Sequence, residues 1–346
     1  MSVESNIYAL WAAKQTAKGA VASTATKRLQ QVGGNLDIMR ADGSENFSDL
    51  DRFGDATDFI DSIQGGGSPV IHGQPNATAY LLWLFFGGET FTAGGGGNPP
   101  KFEFTPLANT GFWITFWKRV GLVDIVRQRY ADCKISSIKI EASTASKVVK
   151  ITPTIVSLDP GEKIAADPAG VSLEVAEPFL WTDATSRIKV DTTTFRAVSQ
   201  FSITLDAGLT PWQGDSVTYY DLVNGGASIS MEGPTMLLDA TSMARYNDII
   251  YGTPTPANGD KPKTSRPIPG SFEAEFLRGT GATRESLKVE LAGVKWSPDL
   301  AIAPSPDGGP AEIALNGEMR KVVGQPAAKL TVETGGTGGD TAAHTV

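Results

Sequence analysis

The 346 residues are 40% hydrophobic and 20% charged, with 38 Gly and 21 Pro, the make-up of a folded, turn-rich protein that leans towards β structure. A net charge of -8 argues against a surface that grips nucleic acid through its phosphates, which needs clustered Lys and Arg. The single cysteine, Cys133, leaves no internal disulfide framework or thiolate zinc site; with no signal peptide and no run of about 18 apolar residues, synthesis in a reducing cytoplasm, away from a membrane, is expected.

Residues 1–26 read as an arm, in which Tyr8, Leu10 and Trp11 sit among Ala, Lys, Gln and Thr without a sustained period. A helix packed on its own domain is the alternative. From Asp42 to Asp61 there are seven acids against one base, Arg52. "DLDRFG" puts Phe53 where a calcium loop needs its third ligand, so the stretch reads as a solvated acidic loop. A contact surface, or a wall that repels phosphate, is the functional alternative.

"NATAYLLWLFFGG" predicts the first helix: Asn76 caps, Ala77 to Phe86 coil, and Gly87–Gly88 terminate. Tyr80, Leu81, Leu84 and Phe85 form one stripe suited to the chain's own sheet. Leu82, Trp83 and Phe86 lie off it and would be exposed on an isolated subunit, unless the chain's own loops bury them. "GGGG" at 94–97 runs into Asn98, Pro99 and Pro100 rather than Lys-Ser/Thr, so it is a loop and not a phosphate cradle.

The clearest hairpin is "CKISSIKIEASTASKVVKITPTIVSLDPG". Ile138, Ile140 and Ala142 point one way, and Ser137, Lys139 and Glu141 the other. In the return strand Val149, Ile151 and Ile155 oppose Lys150, Thr152 and Thr154, which indicates antiparallel sheet with one wet face. "SRIKV", "SQFSITLDA", "GASISMEG", "GSFEAEFLR", "ESLKVELAGVKW" and "AEIALNGEMRKVV" are further strands. In "DATSMARYNDIIYG" Asp239 caps a second helix, Met243, Tyr246, Asn247 and Ile250 share a face, and Gly252 ends it.

Both helices begin Asn/Asp-Ala-Thr, follow a β-like stretch, end in aromatic-Gly and precede a Gly/Pro-rich loop and a strand. The pattern suggests a duplication: a first module at 27–165 with helix 76–87, a second at 166–332 with helix 239–251, and a flexible tail at 333–346. Chance similarity of two β-α-β passages is the alternative.

Signals for catalysis are close to nil. The only histidines are His72, on a strand-like run, and His344, in a Gly/Thr-rich tail expected to be disordered. No Gly-x-Ser-x-Gly elbow is present, and catalytic zinc usually needs two or three His ligands. Carboxylates are plentiful, but nothing singles out a catalytic pair. No catalytic residue, metal or cofactor is expected.

The order of "SNIYALWAAKQTAKG", "GGSPVIHGQPNATAYLLWLFFG", the 130–158 hairpin, "VSQFSITLDAGLTPWQGDSVTYYDLVNG", "LDATSMARYNDIIYG" and "LKVELAGVKW…GGPAEIALNGEMRKV" resembles the major tail (tail tube) proteins of long, non-contractile-tailed bacteriophages. The resemblance implies antiparallel β-sandwich or barrel modules with flanking short helices, assembled as homo-oligomeric rings that stack into a tube. Phage DNA would pass through the lumen without specific binding. A trimer with pseudo-sixfold symmetry is favoured, and a hexamer is the alternative. Tape measure, terminator and distal tail proteins would be partners, in the virion and in the host cytoplasm during assembly.

On this reading Tyr8, Trp11, Leu82, Trp83 and Phe86 form a subunit interface. The loops 41–66 and 88–111, with Asp49, Asp51, Asp55, Asn98 and Pro99, stack rings, and Ser137, Lys139, Glu141, Lys150 and Thr152 face the lumen. A monomeric β-sandwich that binds carbohydrate or protein, a membrane β-barrel and an enzyme with an unidentified carboxylate pair are the competing readings.

Overall fold

Short alternating runs punctuated by Gly, Pro and Asp become strands along most of the chain. The computed structural model describes every residue except 1–7, 50–51, 107–110, 122–125, 170, 172, 265–268, 300–310, 321–323, 325 and 345–346; it describes 44–49, 52–57 and 299 by their backbone alone. The first half supplies β1 (Tyr8–Lys14), β2 (Lys27–Leu29), β3 (Gln31–Gly33), β4 (Leu36–Asp49), β5 (Arg52–Gly67), β6 (Val70–His72) and α1 (Pro75–Phe86). It continues with β7 (Thr90–Thr92), β8 (Lys101–Phe104), β9 (Ile114–Val120), β10 (Val126–Ser143), β11 (Lys150–Ser157) and β12 (Glu162–Lys163). The second half supplies β13 (Ile188–Val190), β14 (Thr193–Phe195), β15 (Val198–Asp206), β16 (Leu209–Gln213), β17 (Tyr219–Asn224) and β18 (Ser228–Leu237). After α2 (Ala240–Tyr251) come β19 (Gly270–Arg278), β20 (Glu285–Asp299), β21 (Glu312–Met319) and β22 (Ala328–Thr334).

The chain is mainly β, with antiparallel ladders, as the sequence predicts. One run of neighbours crosses both halves in the order β4, β5, β11, β10, β15, β18, β21, β20. No ladder among the described residues joins β4 to β20.

Two long strands, β10 and β20, each serve two sheets. The start of β10 pairs with β9, which pairs with β1, while its end pairs with β11 and β15. The start of β20 pairs with β19 and β22, and its end with β21. Each switch coincides with a bulge, at Tyr130/Cys133 with Asp132 at φ 48, and at Gly270/Ser271 opposite Gly293 at φ 93. A bulge bends its strand and re-aims the residues beyond it.

α1 lies at the centre of this arrangement, touching β2, β8 and β10 from the first half and β20 and β22 from the second. All twelve of its residues are buried, and one core cluster runs through both halves. α2 touches β20, and of its residues Ser242 is the buried one. The two helices therefore occupy unlike environments, and α1 belongs to the whole chain rather than to its own half.

Three expectations are corrected. Residues 8–14 of the supposed arm are a central strand, neither arm nor helix. Leu10 and Ala12 enter the main core, while Ala9, Trp11 and Ala13 pack with Ala25 and Trp117. With both faces buried the segment has no alternation to show. The acidic stretch within 41–66 is hairpin rather than loop, paired from Leu36↔Gly67 to Asp49↔Arg52. Within 88–111, β7 and β8 form a second hairpin around a turn at Gly95–Asn98.

The caps divide. Asp239 caps α2 as predicted, accepting from Ser242 N at 2.8 Å while Ser242 Oγ accepts from Asp239 N, and Gly252 closes it at φ 78. α1 instead begins at Pro75, with Gln74 at the cap position. Proline's missing N–H and fixed φ suit it to that first helical position.

Candidate functional site: a polar sheet face and two projecting hairpins

Strand register turns local alternation into a continuous surface, because directly opposed residues share a face. Lys139 lies between Thr152 and Thr204; Thr204 opposes Ser230, Ser230 opposes Glu318, and Glu318 opposes Lys295. One row of six polar residues thus crosses six strands. A second row carries Lys150, Glu141, Ser202 and Glu232, and a third Thr154, Ser137, Asp206 and Ser228.

The adjacent row on the opposite face is Ile151, Ile140, Ile203, Met231, Gly317 and Trp296, all buried. Gly317 is required there: a Cβ would come within 2.4 Å of Val294 Cγ1. Three lysines (139, 150, 295) meet four acids (141, 206, 232, 318) on the polar side, so it has no excess of positive charge.

The structure brings Ser137, Lys139, Glu141, Lys150 and Thr152 together on this face. Thr204, Ser230, Glu318 and Lys295 complete the row and escape a reading of the sequence. Their strands show alternation, but the register between segments 60 or more residues apart is absent from any local pattern.

Beyond the base of the sheet the β4–β5 hairpin continues from Met39↔Gln64 to Asp49↔Arg52, and among the described residues no third strand pairs with it there. At about 3.3 Å per residue this is a projection of roughly 35 Å. Its base passes under Tyr130 at Gly65, where a Cβ would sit 2.6 Å from the ring. The shorter β16–β17 hairpin braces it: Ile63 N donates to Val217 O at 2.8 Å, and Gln213 Nε2 donates to Asp61 O at 2.8 Å. Ile38, Met39, Phe59 and Ile60 on the long hairpin are exposed, as are Trp212, Val217, Tyr220 and Val223 on its neighbour. These eight are half of the sixteen large hydrophobics exposed among the described residues, a concentration that marks an interaction surface.

The residues predicted for a subunit interface fall elsewhere. Tyr8 is exposed, but Trp11, Leu82, Trp83 and Phe86 are at most 5% exposed within the single chain. The off-stripe side of α1 is covered by the chain itself. His344 stacks on Trp83 with centroids 5.2 Å apart, Phe112 lies 4.8 Å from the same ring, and Phe104 lies 6.2 Å from Phe86. Of the predicted stacking residues, Asn98 is exposed and Pro99 buried. Asp49 and Asp55 lie on β4 and β5, and Asp51 is outside the described residues.

The tail is held, not free, as far as it is described. Thr334 Oγ1 donates to Asp340 O at 2.6 Å, Asp340 N donates to Asn76 Oδ1, and Lys27 Nζ pairs with Asp340 at 2.7 Å. His344 Nδ1 meets Glu89 Oε2 at 2.7 Å and Nε2 lies 3.6 Å from Asp340 Oδ2. Burial works against the charged ring, but hydrogen bonds to Asp340 and Glu89 hold its pKa above the ordinary value. Glu174 accepts from Asn76 N and Ala77 N, both at 2.8 Å, serving the helix start that Gln74 leaves uncapped. Burial pushes its pKa up to about 7.

The isolated groups that could do chemistry are quiet. Burial pushes the Cys133 thiol up to about 12. His72, on β6, is held below its ordinary pKa by burial and then by Lys150. No described helix is long and apolar enough to cross a membrane. Comparison with known proteins found no match among curated proteins. A family model described as phage tail tube protein matches residues 9–320.

Proposed function

Because this chain belongs to the phage tail tube protein family, a structural component of the virion tail, we propose that copies of it close into rings that stack as a hollow tube, with the polar face of β11, β10, β15, β18, β21 and β20 lining the passage for DNA. The observation that carries this reading is the six-residue polar row backed by an all-buried row. A wet face this wide, without surplus Lys or Arg, would let a polyanion slide rather than stick.

The run β4 to β20 draws strands from 27–165 and from 166–332, so a chain supplies two modules of one wall. Three copies then give a pseudo-sixfold ring, and six copies remain the alternative. Ring closure would pair the edges of β4 and β20, which gives assembly a physical drive. The projecting hairpins, with their exposed apolar residues, are the ring-to-ring contacts in this reading. Assembly in the host cytoplasm, with tape measure, terminator and distal tail proteins as partners at the ends, completes it.

Negative-stain microscopy of the purified protein tests the proposal. Hollow tubes or rings with threefold averages are expected. A monodisperse monomer that persists at high concentration would overturn it.

A further inference from the structure

A cleft of about 570 Å³ opens beside α1, between β1, β2 and the C-terminal segment. Three nitrogen and oxygen donors surround the Trp83 ring at its wall. Lys14 Nζ is 5.7 Å from that ring's centroid and 4.4 Å from that of Phe112, and has no ion-pair partner among the described residues. The Tyr80 ring lies 5.6 Å away and the His344 ring 5.2 Å away.

Tyr80 is 1% exposed, and its hydroxyl has no hydrogen-bond partner. The Thr26 hydroxyl and Lys14 amide approach it closely enough to perturb it without completing a bond. His344, with its side chain 7% exposed, is committed on both ring nitrogens, Nδ1 to Glu89 Oε2 at 2.7 Å and Nε2 facing Asp340 Oδ2 at 3.6 Å. A buried donor without an acceptor is costly and rare, so the Tyr80 hydroxyl needs an explanation.

The charges around the cleft decide what would fill it. Lys14 and Lys27 contribute two ammonium groups, and the His344 ring is already engaged by Glu89 at Nδ1. Asp340 is the acid at the wall, and its carboxylate is already taken by Lys27 at 2.7 Å and by His344 Nε2 at 3.6 Å. What remains unpaired is the Lys14 ammonium and the Tyr80 phenol, which burial keeps protonated. We propose that this cleft binds a small oxyanion, a phosphate or a carboxylate, held by Lys14 Nζ and Tyr80 Oη beside the His344 ring. Charge-assisted hydrogen bonds from such a set are the strong ones. The site goes beyond the tube reading and does not depend on it.

The protein carries two histidines, so a ring-selective NMR spectrum shows one reporter in the cleft, His344, and one remote control, His72 on β6. The unassembled subunit is titrated with inorganic phosphate, then with acetate, against chloride at equal ionic strength. Saturable shifts of His344 with His72 unmoved are expected. Lys14→Met should weaken affinity about tenfold or more, and Tyr80→Phe should weaken it while keeping the ring. An unchanged His72 signal certifies the fold of both variants.

That result supports a free anion as the ligand. A bound-type His344 spectrum that appears only in assembled particles in phosphate-free buffer, and is lost in Lys14→Met, supports a carboxylate from a second copy. Linear shifts shared by both histidines with no change on assembly, or saturable shifts untouched by both variants, overturn the proposal.

Discussion

Glu174 and His344 both hold their protons more tightly in the folded chain than free side chains do, and this gives the subunit a pH dependence of definite sign. His344 has a raised folded pKa, so its pairing with Glu89 and Asp340 stabilises fully below the ordinary histidine value. That contribution is lost as pH rises through the raised one. Glu174 moves from 4.5 to about 7, so its penalty grows as pH rises from 4.5 and is complete above about 7. Asp340, held low by His344 and Lys27 against burial, weakens only as pH falls below the ordinary carboxylate range. Thermal melts between pH 8 and pH 6 should therefore rise as pH falls. Glu174→Gln and His344→Asn together should flatten the rise, and an unchanged slope in the double variant would refute the assignment. None of this network is legible in the sequence, where His344 sits in a Gly/Thr-rich tail. Its partner Glu89 is 255 residues away.

At the scale of elements, exposure separates the residues that fold the subunit from those proposed to join it to others. Trp83 is 3% exposed at the centre of a core shared by both halves. Trp83→Ala should cost about 3–5 kcal/mol in urea unfolding, with assembly lost only because the subunit unfolds. Phe59→Ser with Ile60→Ser changes exposed positions on the projecting hairpin. That pair should alter unfolding by no more than about 0.5 kcal/mol yet leave subunits that sediment as unassembled species. Normal tubes from the serine variant would remove the hairpin from the contact.

The alternation of β10 and β11 is readable because each strand has one wet face. β1 is hidden because both faces are buried, and β4–β5 because Asp and Gly disfavour strands. The helices are legible as helices, but the environment of α1 is not. Whether Trp83 meets solvent depends on Phe112 and His344, which a local pattern cannot reach.

At the scale of the molecule, the proposed ring has a copy number that depends on how many wall modules one chain carries. If the edge of β4 on one copy pairs with the edge of β20 on the next, the contact is heterologous and must close after a fixed number of copies. Cysteine chemistry can count them, because the native Cys133 is fully buried with its thiol pushed up to about 12 and so stays silent. Single cysteines placed on β4 between Asp37 and Asp42, each combined with one on β20 between Lys295 and Ser297, scan the unknown register. All of these positions except Trp296 are at least partly exposed. Under oxidation the pair in register should give a non-reducing gel ladder that stops at three copies. Termination at six would make each chain a single module of the wall. Absence of any ladder across the scan, in preparations that form tubes by microscopy, would show that rings close through some other edge.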